Sequence, residues 1–182
     1  MGWSSHHPVG LIHYSPQQCY RGYNLPTNAR GSNDAFLMDM EGRICHRWHS
    51  DEGIGYAHLL PYGNLLIRTA APADAGGAEK IGGSSAAILE LDWDNNVVWE
   101  YRDPLVHHDF ERLPNGNTLV LLFENLSPDL TARIRGGIAG DADPESMFGD
   151  QIREIAPDGS VVYEWKAWEH LDPEGDPICP LE

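Results

Sequence analysis

A phrase that occurs twice constrains this chain more than anything else in it. The first copy runs from Ala35 through Leu37-Met38-Asp39-Met40-Glu41-Gly42 to Trp48, then resumes as His58-Leu59-Leu60-Pro61-Tyr62-Gly63-Asn64. The second runs from Ala87 through Leu89-Glu90-Leu91-Asp92 to Trp99, then resumes as His108-Asp109-Phe110-Glu111-Arg112-Leu113-Pro114-Asn115-Gly116-Asn117. Trp48 to Trp99 is 51 positions, His58 to His108 is 50, and Gly63 to Gly116 is 53. A repeat of about 40–50 residues made of short strands is how a β-propeller blade looks in sequence. Each copy also sets a histidine ahead of a Leu-Pro turn.

Alternating apolar positions and Gly/Asn/Asp turns predict strands over 35–40, 43–48, 58–60 and 65–69 in the first unit. The second unit is expected over 86–91, 97–101, 108–113 and 118–123, with Asn115-Gly116 as a strong hairpin signal. A third unit begins over 151–155, turns at Pro157-Asp158-Gly159 and returns over 161–165. The expected fold is therefore all-β, a single partial propeller of four-stranded antiparallel blades. Its parts are a partial blade at 10–30, blades at 35–69 and 86–123, and an incomplete blade at 151–182. Such an arc leaves open sheet edges, so other strands, from a longer protein or from other chains, are expected to complete a ring. The recurring Trp48, Trp99 and Trp165 read as inter-blade core, with an aromatic-lined site as the alternative. Long insertions at 70–85 and 124–149 would shape one face, and a short helix fits 128–135.

Net charge is −16, from 28 acidic and 12 basic residues. That surface repels phosphate backbones and anionic lipid, so neither nucleic acid nor membrane is an expected partner. No apolar run approaches the ~20 residues of a membrane helix, and no secretory signal is visible, which favours a cytoplasmic location. Three scattered cysteines (Cys19, Cys45, Cys179) suggest neither a disulfide framework nor a metal site. Gly76-Gly77 and Gly82-Gly83 match no phosphate-binding fingerprint and read as flexible loop.

Nine histidines are the unusual count. His6-His7 lies in an irregular start, and His13, His46 and His49 fall in or beside strands, where a structural role is common. His58 and His108 occupy what the repeat makes equivalent positions, so their side chains are expected to converge on a central channel and serve acid–base chemistry or anion binding. The competing reading is that this histidine is part of the repeat's own hydrogen-bonding pattern. His107-His108-Asp109 is the sharper signal. Neighbouring strand residues face opposite ways, so only one of the pair reaches the channel, and the repeat selects His108. Asp109 is expected to orient an imidazole or pair with Arg112, while Arg68, Arg112, Arg133 and Arg135 could supply local positive charge. No strict metal-ligand spacing is present.

The segment from His107-His108-Asp109-Phe110 through Leu113-Pro114-Asn115-Gly116-Asn117 to Leu121 resembles the bacterial arylsulfotransferase family. So do Leu37–Gly42 leading to His46-Arg47-Trp48, and Gly22-Tyr23-Asn24-Leu25. The resemblance implies a six-bladed propeller, about half of it in this chain, with the site in the central channel, and it makes a periplasmic location the alternative to a cytoplasmic one. It implies transfer of a sulfuryl group from an aryl sulfate to a phenol without a nucleotide donor or other cofactor. The family's mechanism is ping-pong through a sulfurylated histidine, with further histidines and an arginine holding sulfuryl oxygens. The family's His-His-Asp histidine carries over to His108, with His107 as fallback. His58 is a further catalytic candidate, and Asp109, Arg112 and Arg68 are substrate-binding candidates. The nucleophile and the sulfate-binding arginine are expected in blades beyond this stretch, supplied by a homo-oligomer or a complementary chain. Two other readings stand beside it: a non-catalytic ligand-binding or scaffold propeller, and a metal-dependent hydrolase or lyase with His58 and His108 as ligands.

Overall fold

A computed structural model of the chain describes residues 11–27, 32–133 and 147–172. Ten strands carry nearly all the regular structure: β1 (Ser32–Met38), β2 (Ile44–Ile54), β3 (Tyr56–Leu59), β4 (Leu65–Arg68), β5 (Ala87–Leu91), β6 (Val97–Arg102), β7 (Val106–Arg112), β8 (Thr118–Asn125), β9 (Phe148–Ile155) and β10 (Val161–Lys166). The ten strands expected between 35 and 165 are all present, whereas the partial blade expected at 10–30 contributes, among its described residues, only the Asn24–Met38 bridge. Helix is confined to short turns, among them α1 (Pro128–Thr131), where the Ser127 hydroxyl caps the Leu130 amide as an N-cap serine should. Among the described residues no helix is long and apolar enough to cross a membrane. His6-His7, Arg135, Cys179 and the final stretch of the incomplete blade lie outside the described residues.

The strands group differently from the expected blade boundaries. β1 and β2 form a two-stranded sheet, β3–β4–β5–β6 a four-stranded meander, and β7–β8–β9–β10 a second one, all antiparallel. The two sheets thus run from Tyr56 to Arg102 and from Val106 to Lys166, half a unit out of step with 35–69 and 86–123. The reason is local pairing. β4 continues through the insertion into β5, with Leu65 opposite Leu91 and Ile67 opposite Leu89, whereas no pairing joins β2 to β3.

The ladders also fix the repeat at a single offset. Leu59 pairs with Leu65 as Arg112 pairs with Thr118, and Glu90 pairs with Trp99 as Leu37 pairs with His46. All of these correspond at 53 positions, the spacing of Gly63 and Gly116. His58 therefore corresponds to Glu111, not His108, and Trp48 corresponds to Tyr101, not Trp99. The expected equivalence of the two histidines is corrected by register, because a strand's side chains cannot be shifted by three positions without changing face.

Two cores result from period-2 alternation. Ala35, Leu37 and Trp48 of the two-stranded sheet pack on Ala57, Leu65, Ile67, Leu89 and Leu91 of the middle sheet. From the other face of the middle sheet, Leu66 and Ile88 pack on Phe110, Val120, Leu122 and Ile155 of the third. Trp48 is fully buried and its indole N–H donates to the Asp92 carbonyl, while that of Trp99 donates to Pro157. Each latches its sheet to a hairpin turn of the next, which bears out inter-sheet packing for these two; Trp165 instead stacks on His170 and joins neither core.

Candidate functional site

The start of β7 is irregular where the His-His-Asp signal falls. Val106 pairs with Leu122 and Phe110 with Val120, so His107, His108 and Asp109 together face Leu121 alone. This bulge takes the three residues out of the ladder and hands them to the loop before β5: Ser84 bridges His107, and the His108 amide donates to the Gly83 carbonyl at 2.9 Å. Bulges re-aim side chains in this way. His108 adopts a left-handed backbone (φ 49°), rare for a residue with a Cβ, and its side chain is exposed.

The two rings form a dyad. His107 Nδ1 lies 3.0 Å from His108 Nδ1, so one nitrogen donates and the other accepts, and the two rings meet edge to face. His107 is buried and stacks on Phe123 at 3.8 Å between ring centres. Burial pushes its pKa below the ordinary histidine range, aided by His108 and Arg68 and opposed by the Asp150 carboxylate. Its Nε2 lies 3.3 Å from Asp150 Oδ1 but without hydrogen-bond alignment, so that buried atom remains without a bonded partner. His107 is thus a fixed partner for exposed His108, and the two Nδ1 atoms take opposite donor and acceptor roles.

Arg68, at the end of β4, holds the loop beneath the dyad. Its Nη1 donates to Gly83 O at 2.7 Å and Ser84 O at 3.1 Å, so the Gly83 carbonyl receives both Arg68 and the His108 amide. The guanidinium is buried against Gly55, where a Cβ would stand 3.3 Å from Nη2; its Nε has no partner. Burial lowers the Arg68 pKa, and the Asp109 charge opposes that. Gly83 is required by its own conformation (φ 85°) and by the dyad, because a Cβ there would fall 2.5 Å from His108 Nε2. Gly83 and Asp150 were not legible as site residues; a glycine pair in a loop was the only signal for the first.

The structure brings His107, His108, Asp109 and Arg68 together. It places His58 and Arg112 elsewhere. The His58 Nε2 hydrogen-bonds the Tyr56 hydroxyl at 2.8 Å, its Nδ1 is 3.7 Å from Glu111, and its ring packs on Phe110. Arg112 forms a buried ion pair with Glu90 at 2.8 Å and lies over the Trp99 ring at 4.7 Å, so it does not pair with Asp109. Both line a cleft of about 820 Å3 between the two Leu-Pro turns. Among the described residues no group of three or more His, Cys, Asp or Glu side chains converges as a metal site.

No family model matches the sequence, and no curated protein matches it. Among solved structures, the chain is similar to a protein of unknown function from Bacteroides caccae, at 11% identity and a TM-score of 0.43, covering 82% of this chain and 50% of that one. It is also similar to a eukaryotic initiation factor, at 10% identity and a TM-score of 0.29, covering 90% and 48%. The chain spans about half the length of these structures.

Proposed function

We propose that the chain is part of a sulfotransferase-like β-propeller in which His108 serves a sulfuryl group passing from an aryl sulfate to a phenol. The observation that carries this reading is the dyad: an exposed imidazole held by a buried one, beside a loop fixed by a buried arginine. The two meanders and the hairpin are read as consecutive blades, and the His107–His108 bulge as a feature of the channel mouth. In its role His108 hydrogen-bonds a sulfuryl oxygen or gives a proton to the departing phenolate oxygen, and His107 holds the ring's other nitrogen. The nucleophile is assigned to blades that complete the ring, supplied by a complementary chain or a longer protein.

The test is release of phenol from a chromogenic aryl sulfate, with a second phenol as acceptor, by the chain in its completed assembly. His108→Ala is expected to lower turnover by about a hundredfold or more, within the usual range for a general acid. Unchanged turnover removes His108 from the reaction, and no transfer by the intact assembly removes the reading. One observation favours a second reading, a ligand-binding propeller without chemistry. Arg68 and Arg112, both substrate-binding candidates, are spent on loop carbonyls and on Glu90. Tight binding of an anion without turnover would select it.

A further inference from the structure

The first two sheets use the same face to hold the next. In the middle sheet, one row across the strands is Leu66, Glu90 and Trp99, and the adjacent row is Arg68, Ile88 and Tyr101. Those rows are covered by the third sheet, and Leu66 and Ile88 are fully buried. The same register in the third sheet gives Leu119, Glu154 and Tyr163, beside Leu121, Ile152 and Trp165. Nothing among the described residues packs on these rows as a sheet. Tyr163 is 53% exposed, Leu119, Leu121 and Ile152 are partly exposed, and a hollow of about 190 Å3 opens between them. His170 stacks on Trp165 at the edge.

The polar contacts repeat as well. Glu90 Oε1 accepts from Asn64 at 2.7 Å and Oε2 accepts from Arg112 of the next sheet at 2.8 Å. Glu154, its counterpart, accepts from Asn117 at 2.6 Å through Oε1, and Asn117 is the counterpart of Asn64. Among the described residues no donor reaches Glu154 Oε2. The face therefore presents an apolar surface around a carboxylate that is oriented by its asparagine, with one oxygen open where the internal interface places an arginine.

We propose that this face is the docking surface for a further four-stranded repeat sheet carrying an arginine at the position of Arg112 on its first strand. The arginine takes Glu154 Oε2, and apolar residues matching Phe110, Val120 and Leu122 cover Leu119, Leu121 and Ile152. A second copy of this chain does not fit. Its one arginine at that position is already buried against Glu90, and two such faces would oppose Asp109, Glu111 and Glu154 on molecules of charge −16. The inference rests on the repeated interface and is independent of sulfuryl transfer.

The experiment extends the full chain with a duplicate of residues 103–172, which brings its own Arg112. The expected result is slowed hydrogen exchange over 161–166 and a raised unfolding midpoint. Glu154→Gln in the original sheet and Arg112→Met in the duplicate each weaken docking, and together they weaken it less than the product of the two, by about fivefold. Exchange over 161–166 unchanged from the parent chain, or strictly multiplicative mutant effects, overturns the proposal. The parent chain supplies an arm that does not need the duplicate to fold. Leu121→Lys with Ile152→Lys leaves its unfolding midpoint within a few degrees, whereas Leu66→Lys with Ile88→Lys unfolds it. Unfolding by the first pair, or a parent chain that is already a dimer dispersed by that pair, overturns the assignment.

Discussion

Gly83 carries more of the candidate site than its size suggests. Its carbonyl receives Arg68 and the His108 amide, and its missing Cβ makes room for the His108 ring. Gly83→Ala is therefore expected to displace His108 and to destabilise the fold by about 1–3 kcal/mol, the usual cost of a strained backbone position. A crystal structure or histidine NMR spectrum of the variant that matches the parent would refute this. His107 gives a pH signature. Its folded pKa lies below the ordinary value, so its contribution to stability is present above the ordinary histidine pKa and lost as pH falls through that value toward the depressed one. The groups that face it are Asp150, His108 and Arg68. An NMR titration should place His107 below an exposed histidine; a value at or above the ordinary one would contradict its burial. Glu90 and Arg112 behave as a buried pair. Glu90→Leu alone should cost about 3–5 kcal/mol in urea unfolding, and adding Arg112→Leu should recover most of it, since the uncompensated charge is what costs.

At the scale of elements, the turns and alternation of the sequence were sufficient for all ten strands. Asp39-Met40-Glu41-Gly42, Asp92–Asn96 and Ala156–Ser160 each close a hairpin through local hydrogen bonds that need no tertiary partner. What the pattern did not supply was which hairpins share a sheet. Strands joined through a long insertion, β4 to β5 and β8 to β9, pair with each other, and the loop's length gave no sign of that. The tryptophans divide by register. Trp48 is fully buried and Trp99 only partly, so Trp48→Ala should cost about 3–5 kcal/mol and Trp99→Ala clearly less. Equal losses in denaturant melts would mean that the two share one environment after all.

At the scale of the whole molecule, three sheets stack through two apolar cores, and among the described residues a two-stranded sheet lies at one side and an uncovered face at the other. Protection from exchange should follow that layout. Amides of β4, β5, β8 and β9, paired on both sides, should be slowest, and those of β1, which among the described residues has no second strand partner beyond the Asn24–Met38 bridge, much faster. Uniform protection would mean that β1's edge is covered in solution.

The amino-acid sequence determined the strands, the all-β class and the adjacency of His107, His108 and Asp109, because turn chemistry and alternation are local and those three residues are contiguous. It also held the 53-residue repeat, readable from Leu60-Pro61 and Leu113-Pro114, although the tryptophans and histidines suggested shorter spacings. The tertiary structure alone decided that His108 and His58 stand at different places, that Arg68 supports a loop, and that Arg112 neutralises Glu90. Those outcomes depend on strand register and on a bulge, where a shift of one residue exchanges the buried and exposed faces.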